Sequence, residues 1–224
     1  MQLNNGNRTI IIGDVHGCLD ELNALITKVN YRPENDSLYF LGDVINRGPF
    51  SKKTYLRIKE LNAVSLLGNH EQYLLNSIAS NESNDLVVRM RQEFGSSFRE
   101  FTDEIANWPL FIETEDFILV HAGLVPGKHP SESEDWMLTS IRTWDGTGTD
   151  LNNPNHPPWF EFYKSNKLVV FAHWAALGGI VRDNVIGLDS GCVYGNSLSA
   201  LLLPKKKIVT VAANQVYHPI KEEN

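Results

Sequence analysis

Residues 9–17 read TIIIGDVHG: three consecutive isoleucines lead into a glycine, and two metal-ligand residues, Asp14 and His16, follow at once. A short β-branched run bounded by glycine is typical of a buried strand. In α/β sheets, ligands bind in the crevice beyond the carboxyl ends of the strands. The stretch therefore predicts an α/β fold with a functional site at the end of its first strand.

Four further apolar runs end in the same way. LYFLGD (38–43) ends in Asp43, VSLLGNH (64–70) in Asn69 and His70, FILVH (117–121) in His121, and LVVFAH (168–173) in His173. Carboxylate, amide and imidazole ligands suit Mn²⁺, Fe, Co²⁺ or Zn²⁺. Two ions about 3.5–4 Å apart can activate a water molecule and clamp a phosphoryl oxygen. The pattern predicts a site with two divalent transition-metal ions that hydrolyses phosphoesters.

Three more residues are candidates for catalysis. His70 directly follows Asn69, so we expect it to point towards the leaving group as a general acid. Arg47 lies four residues past Asp43 and can fork onto phosphoryl oxygens. Arg142 is a second, weaker candidate clamp. Two alternatives stay open, because Arg142 could form a surface salt bridge and Asn69 could be a helix N-cap.

The rest of the chain predicts one domain, residues 1–224. The first 75 residues alternate strands with helices, which indicates βαβ units. Predicted helices cover 18–29, 51–61, 71–80 and much of 81–107. A hairpin is predicted at 111–120, and further strands at 185–188, 197–203 and 207–213. Residues 122–166 are rich in Gly, Pro, Asn and Trp, which predicts a cap- or lid-like loop with a short helix near 132–142. Residues 219–224 are predicted to form a loose tail.

Composition excludes several classes of protein. A net charge of −7 argues against non-specific nucleic-acid binding. The chain has no apolar run long enough to span a membrane, and residues 1–8 lack the pattern of a secretion signal. The two cysteines are too few for a disulfide framework, so a cytoplasmic location is expected.

The motifs together resemble the calcineurin-like metallophosphoesterase superfamily. They are GDVHG (13–17), GDVINRGP (42–49), GNHE (68–71), HAG (121–123) and HWA (173–175). The resemblance implies a four-layer αββα sandwich with two mixed β-sheets. It also implies two metal ions, with manganese favoured. One ion would be held by Asp14, His16 and Asp43, and the other by Asp43, Asn69, His121 and His173. His70 would be the acid and Arg47 a phosphate clamp.

Within the superfamily, the chain is similar to the branch of protein Ser/Thr phosphatases and symmetrical bis(5'-nucleosyl)-tetraphosphatases. Asn46 stands where protein phosphatases carry Asp. This favours symmetrical hydrolysis of diadenosine tetraphosphate into two ADP by a metal-bridging hydroxide. The short segment between residues 122 and 172 keeps open a protein phosphatase acting on phosphoserine, phosphothreonine or phosphotyrosine, and capped RNA as a substrate. A catalytically inactive nucleotide-binding module is a third hypothesis, but every expected ligand position is filled. The sequence does not indicate an oligomeric state.

Overall fold

The fold is built on two mixed five-stranded sheets, as expected from the resemblance. A computed structural model describes residues 8–219. In spatial order, the first sheet contains β10 (Lys207–Ala212), β9 (Ser197–Leu203), β1 (Arg8–Ile12), β2 (Asp36–Phe40) and β3 (Val64–Ser65). The second contains β4 (Phe111–Glu113), β5 (Phe117–Val120), β6 (Leu168–Phe171), β8 (Val185–Gly187) and β7 (Ile180–Val181). Strands β1, β2 and β3 run parallel, and so do β5, β6 and β8.

Helices follow the first three strands, which confirms the predicted alternation. The α-helices are α1 (Leu19–Lys28), α2 (Ser51–Glu60), α3 (Asn69–Ala79), α4 (Asp85–Phe94), α5 (Phe98–Ile105) and α6 (Asp135–Ser140). The predicted helical stretch at 81–107 is two helices, which the turn at Gly95–Ser97 separates. The N-cap of α3 is Gly68, with extended backbone, and Asn69 is the first helical residue. The alternative of Asn69 as an N-cap was therefore wrong, and its side chain is available to the site.

Alternating side chains of the strands fill three apolar layers. In β1, Ile10 and Ile12 pack against the helices, whereas Ile11 lies between the two sheets. In β5, Leu119 lies between the sheets, whereas Val120 packs on the opposite face of the second sheet. The order of layers is helices, sheet, sheet, and a final outer layer. The α/β sandwich expected from the sequence is confirmed.

The outer layer on the second sheet is mostly irregular. Its only α-helix among the described residues is the six-residue α6, near the position predicted for a short helix. The layer is anchored by Trp159, which is 1% exposed and whose ring centroid lies 5.3 Å from that of Phe171. A Cβ on Gly123 would collide with the Trp159 indole. The aromatic residues of 122–166 therefore pack this segment onto the sheet.

Two predictions fall partly beyond the described part of the chain. Most of the segment 1–8, and all of the predicted tail except Pro219, lie outside residues 8–219. Among the described residues, no helix has both the length and the apolar character needed to cross a membrane. The single-domain assignment stays a prediction.

Candidate metal centre

The candidate metal centre lies at the carboxyl ends of β1, β2, β3, β5 and β6. Backbone and side chains tie these strand ends together. The N–H of His16, after β1, donates to the carbonyl of Asp43, after β2, over 2.8 Å. The N–H of His173, after β6 of the other sheet, lies 3.3 Å from Asp14 Oδ1. Both sheets therefore contribute to one cluster.

His16 presents one ring nitrogen to this cluster. Its Nδ1 lies 3.0 Å from the carbonyl oxygen of Ile45, which can only accept, so Nδ1 carries the proton. The unprotonated Nε2 lies 3.5 Å from Asp43 Oδ2. Burial lowers the pKa of His16 to about 3, so the ring is neutral at pH 7. A neutral imidazole held by a carbonyl is the usual form of a metal-binding histidine.

A second group of donors consists of His121, His173 and Asn69. His121 Nδ1 lies 2.7 Å from the Leu41 carbonyl and so carries the proton. Its unprotonated Nε2 therefore faces another acceptor, Asn69 Oδ1, at 3.0 Å. His173 Nδ1 lies 2.8 Å from the same oxygen, and the buried His173 Nε2 has no hydrogen-bond partner within residues 8–219. The lone pairs of His121 Nε2 and Asn69 Oδ1 thus point at each other, and His173 Nε2 is buried without a partner among the described residues. A bound cation would satisfy these atoms, so the arrangement fits a metal site.

Asp43 lies between the two groups. Its Oδ2 is the oxygen near His16, and its Oδ1 lies 3.6 Å from His121 Nε2. Burial raises the pKa of the Asp43 carboxyl, but the neighbouring His121 and His70 outweigh this and keep its pKa below the usual range. The carboxylate is therefore ionised, and it occupies the place expected of a bridging ligand.

Buried Glu71 fixes the turn that carries Asp43. Its Oε2 accepts the N–H of Asp43 (2.9 Å) and of Gly68 (3.1 Å), and its Oε1 accepts those of Val44 (3.0 Å) and Ile45 (3.1 Å). Glu71 was not among the predicted site residues. Its position in the sequence could have indicated this role, because an acidic side chain at the third position of a helix commonly reaches back to the N–H groups at the helix start.

Asp14 faces a second buried carboxyl, Asp189, which was not among the predicted site residues. The two residues are 5% and 7% exposed. Burial, and then the negative charge of Asp189, raise the pKa of Asp14 well above its usual range. Two adjacent buried carboxyls are costly unless a positive charge offsets them. The signal for Asp189 was the apolar run at 185–188, which ends in an acid as the other strands do.

His70 is oriented by Asn46. The Asn46 Oδ1 accepts the N–H of Arg47 over 2.8 Å, which turns Nδ2 towards His70 Nδ1 at 2.7 Å. Because Nδ2 is a donor, His70 Nδ1 accepts and the proton of the neutral ring sits on Nε2. His70 Nε2 lies 3.9 Å from Asp43 Oδ2. Burial lowers the pKa of His70 to about 4, despite the nearby Asp43. His70 therefore presents a neutral N–H donor to the site.

Strained backbone is concentrated in this region. Five of the nine described non-glycine residues with left-handed backbone belong to the site: His16 (φ 47°), Asp43 (49°), Asn46 (73°), Arg47 (61°) and His173 (65°). Such angles cost free energy for residues other than glycine, and they persist where the surrounding structure imposes them. The fold therefore holds these side chains in place at the expense of local strain.

Both predicted arginines line an open cavity of about 1120 Å³ above the cluster. Arg47 Nη1 lies 3.2 Å from His16 Nε2. Arg142 is half-buried, and its buried Nε has no hydrogen-bond partner in the part of the chain that the structure describes. Burial lowers the pKa of Arg142. An arginine with an unpartnered N–H at a cavity wall is suited to bind an anion, which argues against the surface salt bridge.

The donors fall into two close groups, and Asp43 belongs to both. Asp43 lies with His16 and His70 in one group, and with His121 and His173 in the other. Asp14 belongs to neither close group among residues 8–219, but reaches the second through His173. These nitrogen and oxygen donors fit divalent metal ions. The assignment of individual residues to each ion stays a prediction.

Comparisons with known proteins agree with this geometry. A family model described as "Calcineurin-like phosphoesterase" matches residues 8–211. The chain is 28% identical to a symmetrical bis(5'-nucleosyl)-tetraphosphatase of Vibrio parahaemolyticus, over 90% of this chain and 97% of that protein. It is 30% identical to the asymmetrical bis(5'-nucleosyl)-tetraphosphatase PrpE of Oceanobacillus iheyensis, over 92% and 93% of the two chains. A crystal structure of a proposed diadenosine tetraphosphatase matches with a TM-score of 0.84 and 30% identity, over 95% of this chain and 96% of that one.

Proposed function

We propose that this chain, which belongs to the calcineurin-like phosphoesterase family, cleaves dinucleoside tetraphosphates symmetrically and converts diadenosine tetraphosphate into two ADP. Membership of the family makes it a metal-dependent hydrolase of phosphate esters or anhydrides. The substrate and the position of cleavage are the proposed part. Relatives with symmetrical and with asymmetrical names are similarly close, so their names support the substrate class more strongly than the cleavage position.

The contact between Asn46 and His70 is the observation that carries the choice of an anhydride substrate. A full proton transfer to a leaving group requires the doubly protonated ring. That form would place an N–H of His70 against the N–H of Asn46, 2.7 Å away. A departing nucleoside diphosphate is a weak base whose phosphate protonates near pH 6, so hydrogen bonding from a neutral ring is enough. A departing serine alkoxide is a far stronger base and needs the proton. Asn46 therefore favours anhydrides over phosphoproteins.

The other residues would bind and orient the polyphosphate. Arg47 and Arg142 would each donate hydrogen bonds to phosphoryl oxygens, and their forked geometry suits this better than lysine would. His70 Nε2–H would donate to the bridging oxygen of the scissile anhydride. His16, Asp14, Asp43, Asn69, His121 and His173 would hold two divalent ions, with Mn²⁺ proposed first. When bound, these ions would supply the activation of water and neutralise the charge of the phosphates.

Product analysis tests the proposal. Purified protein is stripped of metal, reloaded with Mn²⁺ and incubated with diadenosine tetraphosphate, and the nucleotides are separated by chromatography. We expect ADP as the only product. Formation of ATP plus AMP would refute symmetrical cleavage and retain the substrate class. No turnover of the dinucleotide, in a preparation that hydrolyses an aryl phosphate, would refute the substrate class.

The remaining hypotheses are separated by the same preparation. A phosphoserine peptide and the dinucleotide are compared by kcat/KM, and we expect the dinucleotide to be strongly preferred. A preference for the peptide would indicate a protein phosphatase instead. An inactive binding module predicts no metal-dependent hydrolysis of either substrate or of an aryl phosphate. Reloading with Co²⁺, Zn²⁺ or Fe²⁺ in parallel tests the choice of Mn²⁺.

A further inference from the structure

We propose that Trp174 and Tyr194 are the two positions at which the nucleobases of the substrate stack, one on each side of the candidate metal centre. This inference rests on the proposed function, because it assigns the groups that would recognise a dinucleotide. Both rings line the cavity above the cluster and both are half-buried. A nucleobase offers a flat π-face to an aromatic side chain, whichever base it is.

Tyr194 borders the half of the site that contains His16. The guanidinium carbon of Arg47 lies 5.4 Å from the centre of the Tyr194 ring, and Arg47 Nη1 lies 3.2 Å from His16 Nε2. Arg47, itself a predicted phosphate clamp, thus links this ring to the predicted metal ligand His16. Because Arg47 and Tyr194 line the same cavity, a nucleobase that stacks on the exposed part of the Tyr194 ring lies close to the Arg47 guanidinium. The ring of His218, whose centroid lies 6.2 Å from that of Tyr194, borders the same part of the cavity.

Trp174 borders the other half of the site. It directly follows His173, which belongs to the donor group with His121. Its ring lies 6.5 Å from that of Phe160, which packs it against the irregular outer layer. The cavity wall beyond it is formed by small residues, among them Ala176 and Gly178, and a Cβ at Gly178 would meet nothing within 4 Å. A flat ring therefore has room to lie against the indole.

The size and shape of the cavity agree with two nucleoside halves. Its volume of about 1120 Å³ exceeds the range of about 300–1,000 Å³ usual for sites of drug-sized ligands. A phosphomonoester would leave most of it empty. Two aromatic rings, one beside each group of metal donors, match a substrate with a base at each end of a polyphosphate. The cavity therefore recognises both ends of the dinucleotide, and not the phosphates alone.

The test compares ligands with and without bases. The KM for diadenosine tetraphosphate and the inhibition constant of inorganic tetraphosphate are measured for Trp174→Ala and Tyr194→Leu. We expect KM to rise about 5- to 100-fold for each variant, as is usual when base stacking is lost. The inhibition constant should change at least fivefold less than KM. Trp174→Phe and Tyr194→Phe keep an aromatic ring and should recover most of the affinity for the dinucleotide.

Matched controls use aromatic residues outside the cavity. Trp136 and Tyr73 are 42% and 49% exposed, so Trp136→Ala and Tyr73→Leu should leave both constants unchanged. Equal weakening of dinucleotide and inorganic tetraphosphate in the Trp174 and Tyr194 variants would overturn the inference, because it would indicate a structural role. So would failure of the Phe variants to recover affinity. In both cases the unmodified protein still cleaves the dinucleotide, so the proposed function stands. If the unmodified protein does not cleave it, the proposed function fails first.

Discussion

Replacing Asn46 by Asp should convert His70 from a neutral hydrogen-bond donor into a proton donor. The two side chains have nearly the same shape, so the 2.7 Å contact to His70 Nδ1 and the acceptor for the Arg47 N–H are both kept. The change replaces an N–H donor with a carboxylate oxygen. The introduced carboxylate would accept a hydrogen bond from a protonated His70 Nδ1 and would stabilise the imidazolium, which Asn46 opposes.

The size of the effect follows from this single contact. A hydrogen bond to a charged group contributes about 1.5–3 kcal/mol. At about 1.4 kcal/mol per pKa unit, this raises the pKa of His70 by about one to two units from its present value of about 4. Both values lie below 7, so the imidazolium fraction at pH 7 should rise about 10- to 100-fold. Because only the imidazolium transfers a full proton, hydrolysis of esters with strongly basic leaving groups should gain by the same factor.

The assay is the ratio of kcat/KM for phenyl phosphate to that for 4-nitrophenyl phosphate, measured between pH 5 and 9. We expect this ratio to rise at least tenfold at pH 7 in Asn46→Asp, and to rise further as the pH falls. Asn152→Asp adds the same charge to an exposed side chain of the same cavity and controls for charge alone. A ratio within threefold of the unmodified protein, or an equal rise in both variants, would refute the role of Asn46.

Three further predictions concern metal binding and stability. Asp43→Asn should abolish activity and weaken metal binding, measured by calorimetry, with the fold retained by circular dichroism; near-normal metal affinity would exclude Asp43 as the bridge. Gly68→Ala should destabilise the protein by about 1–3 kcal/mol, because a Cβ would collide with the backbone N of Asp43; an unchanged unfolding midpoint would contradict this. Burial raises the pKa of Asp36, but hydrogen bonds from Arg8 and from the Arg32 N–H outweigh it, so the net pKa is lowered. That stabilisation is present at pH 7 and is lost as the pH falls below about 4. Asp36→Asn should thus cost about 1 kcal/mol at pH 7, since Arg8 is partly exposed, and less at pH 3, as measured by urea unfolding.

Local sequence patterns determined much of the first sheet and its helices. The first part of the chain alternates strands and helices, in the order β1, α1, β2, α2, β3 and α3. Short apolar runs predict the strands, and apolar residues at helical spacing predict the helices. Both patterns involve residues that are close together in the chain. Errors occurred where a local signal was ambiguous. Asparagine is a residue type favoured at helix N-caps, but the N-cap of α3 is Gly68, which precedes Asn69. The short edge strand β7 (Ile180–Val181) has only two residues and gave no pattern to detect.

The outer layer of the second sheet shows the limit of such patterns. Residues 122–166 have little periodicity, so the sequence predicted only a loop region with one short helix. Its packing depends on single aromatic residues, such as Trp159, that reach strands distant in sequence. No local rule specifies which strand an isolated tryptophan will cover.

The sequence by itself determined which residues the family resemblance predicts as metal ligands, because strand-end motifs place Asp14, Asp43 and His121 close to glycines at recognisable spacings. Only the tertiary structure decided how these groups act on one another. Asn69 Oδ1 meets His121 and His173, which lie 52 and 104 residues away along the chain. Asp189 interacts with Asp14 through its charge and a side-chain hydrogen bond in a buried site, and the tautomer of His70 depends on a contact with Asn46 across 24 residues. The contacts of Asn69 with His121 and His173, and of Asp14 with Asp189, depend on the closure of the two sheets against each other, whereas Asn46 and His70 meet beyond the neighbouring strands β2 and β3 of the first sheet. Such non-local geometry leaves no periodic trace in a single sequence.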